Sequence, residues 1–248
     1  MTVPTLDATG KTVVVTGASK GLGRAMALGF AEAGADVVVA SRDVAACEIV
    51  ADEIRGLGRK ALALRCHVGD WDECAALIDA SVAAFGGIDV LVNNAGIAPV
   101  PPSLREVTSE LFDKTIAVNL KGPLRLTALA AEHMPEGGSI INISSTASLH
   151  ATPLTVVYSA AKAGLNAFTE AAAAEYGPRG IRVNAIVCGT FHTDSFHHGK
   201  PLEVQERMAA NVGLRRIATA DEIVGTALFL ASEASSYLSG GLVVLDGG

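Results

Sequence analysis

The sequence predicts an α/β fold: a doubly wound parallel sheet of about seven strands, with helices on both faces. Short apolar runs alternate with helical stretches almost to the end of the chain. Such alternation builds a parallel sheet through right-handed crossovers. The strands read as continuous apolar runs, as strands covered on both faces require. The chain has 248 residues, 50% hydrophobic and only 4% aromatic. That suits one α/β domain over residues 1–248, with a core large enough to stand without disulfides or structural metal.

Each element follows from local signals. Residues 12–16 form a β-branched strand ended by Gly17, and 22–34 a helix closed by Gly34. The second strand, 36–40, contains three consecutive valines, and a helix over 44–57 ends at Gly58. A strand over 61–66 leads to a helix over 71–85, stopped by Gly86-Gly87. The fourth strand spans 88–92, and one helix is expected over 109–134, before Pro135 and Gly137-Gly138. The fifth strand, 139–143, precedes a long helix over 155–176, ended by Gly177-Pro178. Strands over 181–187 and 242–245 complete the sheet. The least regular stretch begins at Gly189 and suggests a substrate loop near 189–214. It follows a strand end, on the edge where doubly wound sheets bind ligands.

The formal net charge is −7, and no Lys/Arg run stands out. Nucleic acid is therefore not expected as a partner, because phosphate backbones need a basic face. No apolar stretch is long enough to span a bilayer, and the first residues do not resemble a secretory signal. The four cysteines, Cys47, Cys66, Cys74 and Cys188, form no CxxC pair. They read as reduced thiols of a cytoplasmic protein.

The first strand runs into Thr16-Gly17-Ala18-Ser19-Lys20-Gly21-Leu22-Gly23. Glycines there allow a tight turn and close backbone approach to a pyrophosphate, which the following helix N-terminus attracts. Asn93-Asn94-Ala95-Gly96 closes the fourth strand, where side-chain amides tie neighbouring strand ends together and border a dinucleotide. An NAD-preferring site places a carboxylate at the end of the second strand; here that position holds Ser41, followed by Arg42. A guanidinium and a hydroxyl favour a 2′-phosphate, and Lys20 is within reach of the same group. NADP(H) is therefore expected in preference to NAD(H), with Asp43 the one feature favouring NAD(H).

Tyr158 and Lys162 stand four apart on one helix face. A nearby ammonium and an oxidised nicotinamide favour phenolate, lowering the phenol toward neutral pH for proton exchange. Ser145, at the end of the fifth strand, is placed to donate a hydrogen bond to the same carbonyl oxygen. Ser144 reads as structural. His192, His197 and His198 lack zinc-site spacing. They read as surface of the substrate loop, and no metal is expected.

These motifs together resemble the short-chain dehydrogenase/reductase family over essentially the whole chain. The matching features are Thr16 to Gly23, Asn93 to Gly96, Asn119, Ser145, Tyr158, Lys162 and the tail from Gly240 to Gly248. The resemblance implies a Rossmann-type fold with Asn119, Ser145, Tyr158 and Lys162 catalytic. Tyr158 is then the acid in reduction and the base in oxidation, and Lys162 holds the nicotinamide ribose. Asn119 holds a helix kink and a water of the proton relay. The implied cofactor contacts are Gly17, Ser19, Lys20, Gly21, Leu22, Gly23, Ser41, Arg42, His67, Val68, Asn94, Ala95, Gly96, Tyr158, Lys162, Gly189 and Thr193. Two positions depart from the family pattern: Cys188 stands where proline is usual, and His67 where an aspartate is common. The resemblance also implies a homotetramer or homodimer.

The function expected is NADP(H)-dependent hydride transfer between nicotinamide and a small-molecule carbonyl or alcohol. A 3-oxoacyl-thioester (acyl carrier protein) reductase is the alternative enzyme. A non-catalytic dinucleotide sensor is the alternative of another class, and the intact Ser145, Tyr158 and Lys162 weigh against it. Ile97, Leu149, His150, Leu154 and Phe191 are candidates to face the substrate.

Overall fold

The structure, a computed structural model, describes residues 5–193 and 201–248. Its strands are β1 (Thr12–Thr16), β2 (Asp36–Ser41), β3 (Ala61–Arg65), β4 (Val90–Asn93), β5 (Ser139–Ser145), β6 (Arg182–Cys188), β7 (Phe191–His192), β8 (Ala218–Thr219) and β9 (Leu242–Leu245). Seven form one parallel sheet in the order β3-β2-β1-β4-β5-β6-β9, while β7 pairs with β8 alone. The strand order reverses between β1 and β4, and the crevice outside their carboxyl ends is where such sheets take ligands.

Alternate strand residues enter opposite layers. Val13, Val15, Val37 and Val39 join one apolar cluster with Met26, Phe30, Val50 and Leu230. Val14, Val38, Leu91 and Ile140 join another with Leu77, Ile78, Leu126 and Ala172. The first layer belongs to helices α1 (Gly21–Glu32) and α2 (Val44–Gly56). The second belongs to α3 (Trp71–Phe85), α5 (Gly122–Glu132) and α6 (Val156–Tyr176), with α4 (Ser109–Ile116) leading into α5. Full burial of each such valine or leucine contributes roughly 1.5–3 kcal/mol. Helix starts are fixed by carboxylates: Asp43 accepts from Ala46 N, and Asp70 from Asp72 N and Glu73 N.

The structure revises the expected single helix over 109–134. It is broken at Ala117–Lys121 into one π turn. The amide of Asn119 donates to the carbonyls of Thr115 (2.9 Å) and Ile97 (2.8 Å), which stabilises the wider turn. Strands β5 and β6 run further than expected, carrying Ser144, Ser145 and Cys188 within the sheet. Two helices had no sequence expectation: α7 (Leu202–Ala210) and α8 (Val224–Ala231). No helix among the described residues is long and apolar enough to cross a membrane.

Candidate active site

The glycine turn after β1 is shaped by close approach. A Cβ added at Gly23 would come within 2.3 Å of the Gly17 carbonyl oxygen, and one at Gly17 within 2.9 Å of Ala95 Cα. Gly17 also has φ +64, the left-handed region that glycine adopts without strain. Thr16 locks this turn to the β4 end. Its Oγ1 accepts from the backbone N–H of Asn94 (3.0 Å) and Ala95 (3.1 Å) and donates to Val92 O (3.2 Å). The Asn94 amide donates to Thr16 O (2.8 Å) and Gly17 O (3.2 Å). Thr193 lies against Gly21, its Cγ2 3.4 Å from where a Cβ would stand. The cradle therefore unites Gly17, Gly21, Gly23, Asn94, Ala95 and Thr193, with α1 opening beneath it. This arrangement fits a dinucleotide pyrophosphate.

At the end of β2, Ser41 Oγ donates to the Asp43 carbonyl at 3.1 Å and accepts from the Cys47 thiol. Asp43 spends its carboxylate on the α2 N-cap, accepting from Ala46 N at 3.1 Å. Arg42 and Lys20 are exposed, and neither makes an ion pair among the described residues. The group that argued for NAD(H) is thus occupied, and the two cations are available. Beyond β3, the backbone N–H of His67 donates to Glu73 Oε2 at 2.7 Å, and Val68 is buried.

Asn119 is fully buried and clamps Ile97 from both sides, its Oδ1 accepting Ile97 N (3.2 Å) and its Nδ2 donating to Ile97 O. Ser145 Oγ accepts from Ala147 N at 3.2 Å, which leaves its own proton for another acceptor. Ser144 is structural, as expected: its Oγ donates to Asn166 Oδ1 at 2.6 Å. Lys162 is buried, and its ammonium donates to Ile143 O at 2.7 Å. Burial pulls the Lys162 pKa down to about 8, and the neighbouring Cys188 acts weakly the other way.

Tyr158 departs from the expectation of a lowered pKa. Burial raises the phenol, with hydrogen bonding to Ser145 opposing it. The ammonium lies 5.8 Å from the ring centre and is directed at the β5 backbone. In the protein alone, desolvation prevails over the cation that was expected to lower the phenol.

A family model described as enoyl-(acyl carrier protein) reductase matches residues 17–248. L-rhamnose 1-dehydrogenase (NAD(P)(+)) of Azotobacter vinelandii is 40% identical over 246 residues, covering 96% of each chain. The chain belongs to the short-chain dehydrogenase/reductase family. Cis-4-hydroxycyclohexanecarboxylate dehydrogenase of Sinomonas cyclohexanicum is also 40% identical, over 241 residues and 96% of each chain. The crystal structure of a short-chain dehydrogenase from Burkholderia cenocepacia in complex with NADP superposes with a TM-score of 0.91 at 32% identity, covering 97% of this chain and 98% of that one. As a short-chain dehydrogenase/reductase, the chain is an oxidoreductase.

Not every expected residue of this dehydrogenase/reductase lies where the sequence suggested. Phe191 is largely buried in β7 and packs against the core layer of α1 and α2. Leu149 and Leu154 are exposed, and Ile97 is half-buried behind the Asn119 clamp. Gly189 is pinned to the sheet, its N–H donating to Leu245 O at 2.9 Å. Among the described residues no cluster of three or more metal-ligating side chains occurs. His197 and His198 lie outside the described residues. Sequence reasoning placed Thr16 in the glycine motif but gave it no site-building role of its own. Its signal was a hydroxyl at the last position of a buried strand, facing a glycine turn.

Proposed function

We propose that this chain transfers a hydride between NADP(H) and the carbonyl or secondary alcohol of a small or medium organic substrate. The observation that carries this reading is that Ser145, Tyr158 and Lys162 lie together at the carboxyl end of β5, beside the turn after β4. Bound NADP(H) supplies or accepts the hydride at its nicotinamide. The protein supplies orientation and the proton.

In reduction, the substrate oxygen accepts hydrogen bonds from Tyr158 and Ser145. Ser145 Oγ accepts from Ala147 N, and its proton, directed at the phenol in the protein alone, turns to the substrate oxygen. A phenol raised by burial stays protonated at neutral pH and serves as the acid. As negative charge builds on the substrate oxygen, the proton passes from Tyr158 Oη to it. The nearby Lys162 charge then favours the phenolate left behind. Oxidation runs the same proton backward. Asn119 keeps the π turn and Ile97 in place along the site wall.

The preference for NADP(H) rests on the availability of Arg42 and Lys20 and on the engagement of Asp43 in a helix cap. His67, Val68 and Gly189 complete the cofactor wall in this reading. The relative named for NAD(P)(+) and the neighbour solved with NADP support it. A homotetramer or homodimer fits the outer face of α6, where Ala160, Ala167, Ala171 and Ala174 are exposed. Sedimentation as a monomer would refute that assembly.

A second reading, reduction of a 3-oxoacyl thioester, is favoured by the acyl-carrier-protein description of the matching family model. One experiment separates the two. NADPH and NADH consumption is followed across ketones, aldehydes, ring alcohols in the oxidative direction, and 3-oxoacyl thioesters. Turnover with NADPH that Tyr158→Phe abolishes supports the mechanism. Unchanged turnover in Tyr158→Phe refutes it, and a preference for thioesters selects the second reading.

A further inference from the structure

Helix α6 grips the end of β5 at three successive residues. Tyr158, Lys162 and Asn166 recur at four-residue intervals, so they share one helix face. Lys162 Nζ donates to Ile143 O at 2.7 Å. One turn further on, Asn166 Oδ1 accepts from Ser144 Oγ at 2.6 Å, and its Nδ2 donates to Ser148 Oγ at 2.8 Å. Ser148 Oγ in turn donates to the carbonyl of Ser145 at 2.6 Å. The bonds close a ring: from the amide to Ser148, to Ser145, along the chain to Ser144, and back to the amide.

Proton counting fixes how the ring is wired. Ser148 has one hydroxyl proton, and the Ser145 carbonyl takes it. Asn166 therefore presents an N–H to the Ser148 oxygen and its Oδ1 to Ser144. The Ser144 proton has Ser148 Oγ as its other acceptor, at 3.4 Å, and the 2.6 Å bond to Asn166 is the stronger. Ser144 is 2% exposed and Asn166 7%, so solvent is poorly placed to replace a lost partner.

The ring lies at the reacting end of the strand. Deeper in the sheet, α6 is already tied to β5 by Asn142 Nδ2, which donates to Thr169 Oγ1 at 2.9 Å. What the ring holds is the spacing between two hydroxyls on different elements. Ser145 ends β5, Tyr158 is on α6, and the phenol is hydrogen-bonded to Ser145. Ser145 Oγ also accepts from Ala147 N, within the turn Thr146–Ser148. That turn is bonded to α6 through the Asn166 amide. A turn that drifts from α6 carries the serine away from the phenol, and rates fall steeply with misplacement of this kind.

We propose that Asn166 is a positioning residue of the reaction: through Ser148 it fixes the end of β5 against α6 and so sets where Ser145 stands relative to Tyr158. The inference rests on the hydride-transfer reading above. Asn166 engages both ends of its amide with Ser144 and Ser148, so its effect reaches the substrate through Ser145.

The test is a double-mutant cycle on the full chain, with NADPH and the carbonyl substrate turned over fastest. Ser148→Ala removes the hydroxyl that holds Ser145 O. Asn166→Leu keeps the shape of the amide and removes its hydrogen bonds. Each should lower kcat roughly tenfold, while KM for NADPH moves less than about twofold. Ser148→Thr keeps the hydroxyl and should retain most of the rate. Ser145→Ala alone should lower kcat about 100-fold. In that background, Ser148→Ala and Asn166→Leu should cost less than about twofold more, because the residue they position is gone. Thr169→Val, which loosens α6 outside the ring, should lower the melting temperature and leave kcat unchanged. The inference is overturned, with the function left standing, by additive losses in the cycle, or by Ser148→Ala keeping full kcat while Ser145→Ala loses it. Equal losses in Ser148→Thr and Ser148→Ala, or a tenfold loss in Thr169→Val, overturn it too. The Ser148 variants decide the matter even where Asn166→Leu fails to fold. Unchanged kcat in Ser145→Ala, or a wild type that turns over no substrate of the range above, refutes the function proposed above and the inference with it.

Discussion

The ammonium of Lys162 donates to the carbonyl of Ile143 at 2.7 Å, so a buried cation is anchored to the β5 backbone. That position costs stability. Burial lowers the Lys162 pKa from its ordinary 10.5 to about 8. Between those values the unfolded chain binds one more proton than the folded one, so stability rises with pH. The wild type should gain up to about 1.4 kcal/mol per pH unit in that window relative to Lys162→Met, which has no proton to lose. Urea midpoints of both proteins at about pH 8 and pH 10 measure the difference. A difference that stays flat across the window would show that Lys162 titrates normally.

Thr16 is the hinge pin of the cofactor cradle. Its single oxygen serves two backbone donors, Asn94 N and Ala95 N, and the residue is 1% exposed. Thr16→Val keeps the shape and removes the oxygen, leaving the Ala95 N–H without a partner while the Asn94 N–H keeps Val92 O at 3.1 Å. A loss of about 1–3 kcal/mol is expected, together with weaker NADPH binding. Thr16→Ser keeps the acceptor and should retain most of both. Denaturant unfolding and cofactor titration of the two variants separate the roles. A loss in Ser that Val does not share would point to the methyl group instead.

Gly122 and Gly225 both lie at the start of helices, yet their substitution should have opposite signs. At Gly122 an added Cβ would stand 2.1 Å from the Val68 carbonyl oxygen, a backbone atom that cannot swing aside. Gly122→Ala should cost about 1–3 kcal/mol and disturb the turn carrying Asn119. At Gly225 nothing lies within 4 Å, and alanine there should stabilise α8 by about 0.5–1 kcal/mol. Melting curves of the two single variants test the pair.

Most of the sheet was legible because its strands are buried on both faces. The three valines of β2 and the run from Thr12 to Thr16 leave no polar alternative, and their expected bounds agree with the structure to within a residue. The π turn was not legible, because it depends on where the Asn119 amide finds carbonyls, one of them on distant Ile97. Helix α8 was missed because it is apolar throughout, which hides helical periodicity. The 3-10 turn that leads into it, Ala220–Ile223, carries a signal all the same: Thr219 and Glu222 form a capping box. The Tyr158 shift was unreadable for a different reason. Spacing places Lys162 on the same helix face, but only coordinates show that its ammonium is directed at Ile143.

Arg42 and Asp43 make opposite demands on the cofactor, and only one of them is free to act. Asp43 accepts from Ala46 N at 3.1 Å and starts α2, while Arg42 is exposed without an ion pair among the described residues. If Arg42 binds the 2′-phosphate, Arg42→Ala removes a charge-assisted contact worth about 1.5–3 kcal/mol. kcat/KM for NADPH should then fall roughly 10- to 100-fold, with NADH little changed, and the loss should shrink at high salt. Asp43→Ala should instead lower stability by about 1 kcal/mol through the lost cap, without moving the NADPH-to-NADH ratio. A ratio that rises in Asp43→Ala would mean that the carboxylate turns from its cap to repel the phosphate. A ratio unmoved by Arg42→Ala would transfer the role to Lys20, whose variant would then have to show the same loss.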